Sequence, residues 1–247
     1  MPRTVLALLF LCPMVSTAQD WEFEIQPYLL ATTISGENSI GRATGQEVDV
    51  DMSDILELLN LAGMLHFEAV KDDSWGVAVD YAFMDLRDDI SGQRGGVTKV
   101  KNRQGNFQAD FFYRQSASVG VIDYIAGIRW WDIDLDVSVD LAVLPGSPEL
   151  NIEEDWVDLY VGARWTAPIN EQWIFFLRGD IGGFGLESDF TSLVEVGAKY
   201  QWRDNMLFSG SYSSLWVDYE NGTEGQPGHY ANDTVTHGPK LGFIYQF

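Results

Sequence analysis

Apolar and polar residues alternate with a period of two along most of the chain beyond residue 20. Val194, Val196, Ala198, Tyr200 and Trp202 make one wholly apolar row, while the interleaved Glu195, Gly197, Lys199 and Gln201 are polar or small. The same pattern sets Val157, Leu159, Val161, Ala163 and Trp165 against Asp158, Tyr160, Gly162 and Arg164, and Trp75, Val77, Val79, Tyr81 and Phe83 against Gly76, Ala78, Asp80, Ala82 and Met84. Further copies cover 107–114, 123–130 and 173–181. Successive side chains of a strand point to opposite faces, so each segment predicts a strand with one apolar and one polar face.

A soluble sandwich shares that period, and the placement of aromatics separates it from a membrane barrel. Trp75, Trp165, Trp173, Trp202 and Phe247 sit beside short turns at 71–74, 116–118, 167–172 and 203–205. Aromatics at strand ends form interfacial girdles in barrels, whereas a sandwich spreads them through its core. Long connections at 88–97, 141–149, 184–189 and 220–233 alternate with the short turns, which is the asymmetry of an outer-membrane barrel. Counting on this basis gives nine strands from Leu61 onward. A tenth, about Trp21 to Ile34, carries Pro27, which is tolerated at a seam or bulge but costly in a central ladder. The fold class expected is all-β: a closed antiparallel transmembrane barrel of about ten strands, with eight or twelve as alternatives and a short helix inserted after the first strand.

That insertion, residues 35–60, holds a short strand at Glu47 to Met52 and a helix opened by Ser53 and Asp54, followed by Ile55, Leu56, Leu58, Leu59 and Leu61. Ser53 is a reasonable N-cap. So short an apolar helix is marginal alone and must be buried. It is expected to enter the mouth or lumen as a partial plug, the alternative being a surface helix at the membrane interface.

Arg3, an apolar run from Val5 to Val15 and the small residues Ser16-Thr17-Ala18 read as a secretory signal peptide over residues 1–18, with the barrel over 19–247. The run is about half the ~20 residues a spanning helix needs, and a buried first helix is the alternative. The single cysteine, Cys12, lies inside this run. Cleavage after Ala18 would leave neither disulfides nor thiol chemistry. Every later apolar stretch is soon interrupted by charged or strongly polar residues, so an integral membrane protein of this sequence must be a closed barrel. Aromatics at 13% and 24 glycines suit that class.

The last residues, LGFIYQF, put Leu241, Phe243, Tyr245 and Phe247 on one face. This ending resembles the closing strand of Gram-negative outer-membrane β-barrels, and the resemblance implies that Phe243, Tyr245 and Phe247 form the mark read by the barrel assembly machinery. The N-terminal strand, the acidic strand with its DIL helix and the W-x-V-x-V-D-Y strand resemble a largely uncharacterised family of such barrels. The resemblance covers most of the mature chain and implies fold and location in the outer membrane, among its lipid and lipopolysaccharide, rather than an activity.

With apolar positions outward, the lumen receives Glu24, Glu68, Asp80, Asp110, Asp123, Asp158, Asp180 and Glu195 with Arg114, Arg129, Arg164, Arg178, Lys199 and Lys240. Signs alternate between neighbouring strands. In so narrow a barrel these groups are expected to form a packed ion-pair network, or else to line a narrow pore. Asp132, Asp134, Asp136 and Asp140 fall on the parity that faced lipid at Tyr124 to Trp130. A charge in hydrocarbon costs on the order of 2–4 kcal/mol, so this strand has left the bilayer by about Asp132. Ile133, Leu135, Val137 and Val139 then face inward above the membrane.

A formal charge of −22 argues against nucleic acid as a partner. D-x-D-x-D lacks the glycine turn and terminal glutamate of an EF-hand, so the carboxylates are read as solvated charge and no metal or cofactor is expected. Only His66, His229 and His237 are available for acid–base work. His66 shares a face with Glu68, and His237 lies near Asp233 and serines at the rim, but nothing specifies a nucleophile. Gly179 to Gly185 lacks the Lys-Ser/Thr of a phosphate loop and makes room for an aromatic or the plug. The expected protein is a non-enzymatic barrel with a filled lumen, structural or surface-binding. A narrow small-solute channel is the alternative, and a rim hydrolase a more remote one.

Overall fold

The computed structural model describes residues 21–91, 97–140, 149–226 and 228–247. The expected signal segment lies outside them. The elements run β1 (Trp21–Leu30), β2 (Thr33–Ile40), β3 (Ala43–Val50), α1 (Met52–Leu58), β4 (Leu59–Lys71), β5 (Trp75–Ser91), β6 (Val97–Ser116), β7 (Val121–Asp140), β8 (Glu149–Pro168), β9 (Trp173–Gly182), β10 (Ser188–Arg203), β11 (Met206–Asn221) and β12 (Tyr230–Gln246). Strand β1 pairs antiparallel with both β4 and β12, which closes ten strands into a ring, and β2 and β3 form an additional hairpin. Among the described residues no helix is long and apolar enough to cross a membrane. Closure through strands satisfies the backbone instead.

Closure is anchored where the chain ends meet. Phe23 and Phe247 exchange both backbone hydrogen bonds (3.1 and 3.0 Å), and their rings stack 5.5 Å apart. Pro27 falls where the β1–β12 ladder skips, between Ile25↔Tyr245 and Tyr28↔Gly242. Its missing N–H is therefore carried at the seam, as the sequence suggests.

The expected Trp21–Ile34 strand is interrupted at Ala31-Thr32 and resumes as β2 in the same register on β12, with His237↔Thr33 following Leu30↔Lys240. Gly238 permits the interruption, because a Cβ there would collide with the Ala31 carbonyl. The helix follows β3, whose second half is the short strand expected at Glu47 to Met52. It starts at Met52 with Asp51 as N-cap, not Ser53. Ile55 is buried and α1 packs on β5 and β2, but none of its residues lines the central cavity. The expected plug is thus replaced by an extension of the wall: β2 and β3 find backbone partners on the upper part of β12, which a free strand–helix segment in the lumen would lack.

Strands β6, β7 and β8 are each 20 residues long, whereas β9 has 10. About 9–11 tilted residues cross a bilayer, so half of each long strand stands beyond it. Outward-facing Val79, Tyr124, Leu159, Val161 and Val196 are exposed and form the apolar band. Below it runs a girdle that includes Trp21 against Trp75 (5.2 Å) and Trp173 against Tyr200 (5.0 Å). Above it Asp132 faces out, Ile133 is buried inward, and Asp134 accepts a hydrogen bond from Arg103. The same outward face that carries Tyr124, Ile128 and Trp130 thus turns acidic at Asp132, as the expected exit from the bilayer requires. The side chains of Val137, Val139 and Asp140 lie outside the described residues.

Candidate functional site: a packed lumen

Alternation delivers every predicted luminal residue to the interior, where the charges sort into tiers. In the lowest, Lys199 Nζ donates to Glu24 Oε1 at 2.9 Å, and Gln246 Nε2 donates to the other Glu24 oxygen. One tier up, Arg164 forks onto two carboxylates, donating to Glu68 (2.6 and 2.9 Å) and to Asp123 (2.7 and 2.9 Å). Arg114 takes the second Asp123 oxygen at 2.7 Å, and both guanidinium groups lie over the buried Phe112 ring. Bidentate geometry fixes orientation as well as charge.

His66 and Glu68 do share the interior. His66 Nδ1 lies 3.1 Å from Asp80 and Nε2 3.7 Å from Glu68, while the Tyr28 hydroxyl donates to Asp80 at 2.6 Å. Lys240 sits 3.6 Å from Glu195 with its ammonium over the Tyr28 ring. Higher up, Arg178 pairs with Asp110 at 3.0 Å and Asp180 at 3.4 Å. Arg129 is fully buried: it pairs with Asp180 at 3.0 Å, donates to Thr191 at 2.9 Å and lies 4.6 Å above the Tyr160 ring, whose hydroxyl donates to Asp110.

Asp158 departs from the expected ion pairing. Although Arg129 is its register neighbour on β7, Asp158 instead accepts from Trp156 Nε1 (3.2 Å), the Ser188 backbone N–H (3.1 Å) and the Ser188 hydroxyl (2.9 Å). Three donors satisfy this buried carboxylate without a cation.

Above Asp158 the interior becomes aromatic. Trp131 and Trp156 stack at 5.7 Å, Trp156 and Tyr219 at 3.9 Å, and Tyr219 approaches Tyr230 at 6.2 Å. Strand β9 ends at Gly182 opposite Tyr160 and β10 begins at Ser188 opposite Tyr219, so the Trp156–Tyr219 stack ties β8 directly to β11 above this short hairpin, where Tyr219 and Asn221 also donate to Glu154. Ile133 and Val217 are buried in the same cluster, with Ile40, Ile152 and Leu215 packed on it. Sequence reasoning put Tyr160 on the polar face of its strand without giving it a role and did not single out Trp131 or Trp156. Inward parity was the available signal, but only the folded wall shows which aromatics meet. The small residues around Gly182 do make room for an aromatic: a Cβ at Gly127 or Gly182 would collide with Tyr160.

A cavity of about 670 Å3 remains beside the network. It reaches Glu22, Asp204, Asn205 and Phe247 at the lower rim and Trp131 and Leu215 at the top, while Trp156, Tyr219 and Tyr230 stand outside its lining. His237 is on the outer surface against the Tyr212 hydroxyl (2.7 Å), and Asp233 accepts from Trp216 instead. His229 pairs with Glu220 at 3.0 Å. Among the described residues no three His, Cys, Asp or Glu side chains are grouped to hold a metal ion.

No family model and no curated protein matches the sequence. Among solved structures, the chain is similar to the outer-membrane protease OmpT of Escherichia coli, at 10% identity over 94% of this chain and 98% of that one, with a TM-score of 0.51. Looser likenesses are Ail, the attachment invasion locus protein of Yersinia pestis (9% identity, 92% and 99% covered, TM-score 0.41), and the translocator domain of the autotransporter NalP of Neisseria meningitidis (10%, 92% and 88%, 0.40). With its closed ring, apolar exterior and ionic interior, the chain has the fold of the outer-membrane β-barrels of Gram-negative bacteria.

Proposed function

We propose that this protein is a non-catalytic, non-conducting barrel of the outer membrane, serving there as a structural or surface-binding element. The observation that carries the reading is the mutually paired ionic filling of the lumen, from Arg164 with Glu68 and Asp123 up to the fully buried Arg129–Asp180 pair. A wide aqueous path would have to break such pairs, and a buried charge left without its partner is costly; the cavity beside them passes Glu68, Arg164, Arg178 and Glu195, which are already paired. Glu68, Asp80, Asp110, Arg114, Asp123, Arg129, Asp158, Arg164, Arg178, Asp180, Glu195 and Lys199 are on this reading the filling of the lumen rather than a pore lining. Phe243, Tyr245 and Phe247, on the lipid-facing side of β12, serve as the mark for the assembly machinery. The tall acidic wall is the part that meets lipopolysaccharide and the medium.

Proteoliposomes test the reading. Vesicles carrying the purified protein are expected to resist swelling in solutes the size of glycine or arabinose. Swelling whose rate changes on Arg164→Ala would favour the second reading, a narrow channel using the cavity along β1, β4, β5, β11 and β12.

A further inference from the structure

The wall of the barrel has a gap. The β1–β4 ladder runs from Trp21↔Lys71 to Pro27↔Leu65 and stops, and beyond it no residue of β1 or β2 pairs with β4. Strand β4 continues upward from Leu65 to Leu59 on β5 alone, while β1 and β2 continue on β12. Pairing resumes higher up, where Val50 of β3 meets Ile34 of β2, and α1 leads from there back to β4. The result is a framed window with Tyr28–Thr33 on one side and Leu59–Met64 on the other. Exposed Leu29, Leu61 and Leu65 rim its outer side. At Gly63 no side chain occupies the space, since a Cβ there would meet nothing within 4 Å.

Behind the window the central cavity changes character. Its upper lining includes Leu30, Ile34, Met64, Ala82, Met84 and Leu215, in contrast to the ionic tiers beneath. Met64 and Phe83 border both this chamber and a shallow groove on the outer face formed by Leu61, Gly63, Leu65 and Tyr81. Methionine side chains adapt to irregular apolar guests. The whole cavity, of which this chamber is the upper part, has about 670 Å3, within the roughly 300–1,000 Å3 range of small-molecule sites. Thr32, Gln104 and Asn106 add uncharged hydroxyl and amide side chains to the lining of the cavity. All three can donate, so the guest that suits them carries an uncharged acceptor.

We propose that the upper lumen is a binding chamber for a single-chain aliphatic molecule with an uncharged, acceptor-bearing head, loaded sideways from the membrane through the window between β1 and β4. An aliphatic guest is favoured because the window opens between leucines at the edge of the apolar band and leads to an apolar lining, so a chain passes from lipid to protein without crossing water. The site depends on residence in the membrane and not on whether the lumen conducts. Binding and solute flux therefore succeed or fail separately.

Tritiated dodecan-1-ol and the purified full chain in nanodiscs test it. The expected result is saturable binding of about one molecule per chain above the lipid partition. Ala82→Trp, or Met84→Trp if the first fails to fold, is expected to fill the chamber and weaken binding at least tenfold. Gly63→Trp is expected to obstruct the window and slow association at least tenfold. Each variant is first checked for a heat-modifiable folded band. Purely unsaturable partition in the unaltered protein, or unchanged affinity in the folded chamber variants, would overturn the chamber. Unchanged association in folded Gly63→Trp would overturn lateral loading.

Discussion

Arg129 shows how a single side chain holds this lumen. Its guanidinium has no exposed surface, one carboxylate partner in Asp180, a hydroxyl acceptor in Thr191 and an aromatic face in Tyr160. Replacing one member of such a pair strands the other charge in a low-dielectric interior, at a cost of ~3–5 kcal/mol, whereas replacing both with apolar groups is often neutral. Arg129→Met is thus expected to lower the urea concentration at which the heat-modifiable folded band is lost, and Arg129→Met with Asp180→Leu to restore most of it. Equal destabilisation by the single and double replacements would contradict this account of the pair. At this scale the sequence is informative about direction and silent about partners. Strict alternation sends all fourteen predicted charges inward. Yet Asp158, facing Arg129 across the ladder, is satisfied by Trp156 and Ser188, because that choice depends on side-chain reach across a closed ring.

At the scale of elements, the upper hairpin carries an unfavourable charge ladder. Asp218 of β11 faces Asp233 of β12, Asp233 faces Glu37 of β2, and Glu37 faces Glu47 of β3. Like charges directly opposite one another destabilise a sheet by roughly 0.2–1 kcal/mol per pair. Burial, reinforced by Asp233, Asp189 and Glu220, raises the Asp218 pKa above the ordinary aspartate value. A carboxyl whose folded pKa is raised binds more protons folded than unfolded, so its contribution to stability falls as pH rises through that value and returns as pH falls. Hydrogen exchange in the upper halves of β11 and β12 is accordingly expected to slow, after correction for intrinsic rates, as pH drops from neutral into the carboxylate range. Asp233→Asn should flatten the dependence. Protection that weakens on acidification would contradict the ladder's role. Long alternating strands were legible here because one face of each must be apolar. Of the β2–β3 hairpin only the end of β3 was legible, as the strand expected at Glu47 to Met52, since Gly36, Gly41 and Gly45 dilute the alternation before it and the pairing is set by the height of β12. The helix signal at Ile55 to Leu61 was real, but propensity says nothing of which surface buries a helix.

For the whole molecule, strand count, closure and the outer-membrane fold could be read from alternation, girdle and turn asymmetry. The filling of the lumen could be read only in part, because the partners of each charge, and the aromatics of β7, β8, β11 and β12 packed above them, meet only in the ring. Conductance in planar bilayers bears on that filling most directly. The unaltered protein is predicted to leave the membrane electrically silent, and Arg129→Ala with Asp180→Ala, which empties the centre of the filling, is predicted to introduce steady or flickering current in a chain that still folds. Steady conductance by the unaltered protein, altered by substitution at Arg129 or Arg164, would contradict a sealed barrel.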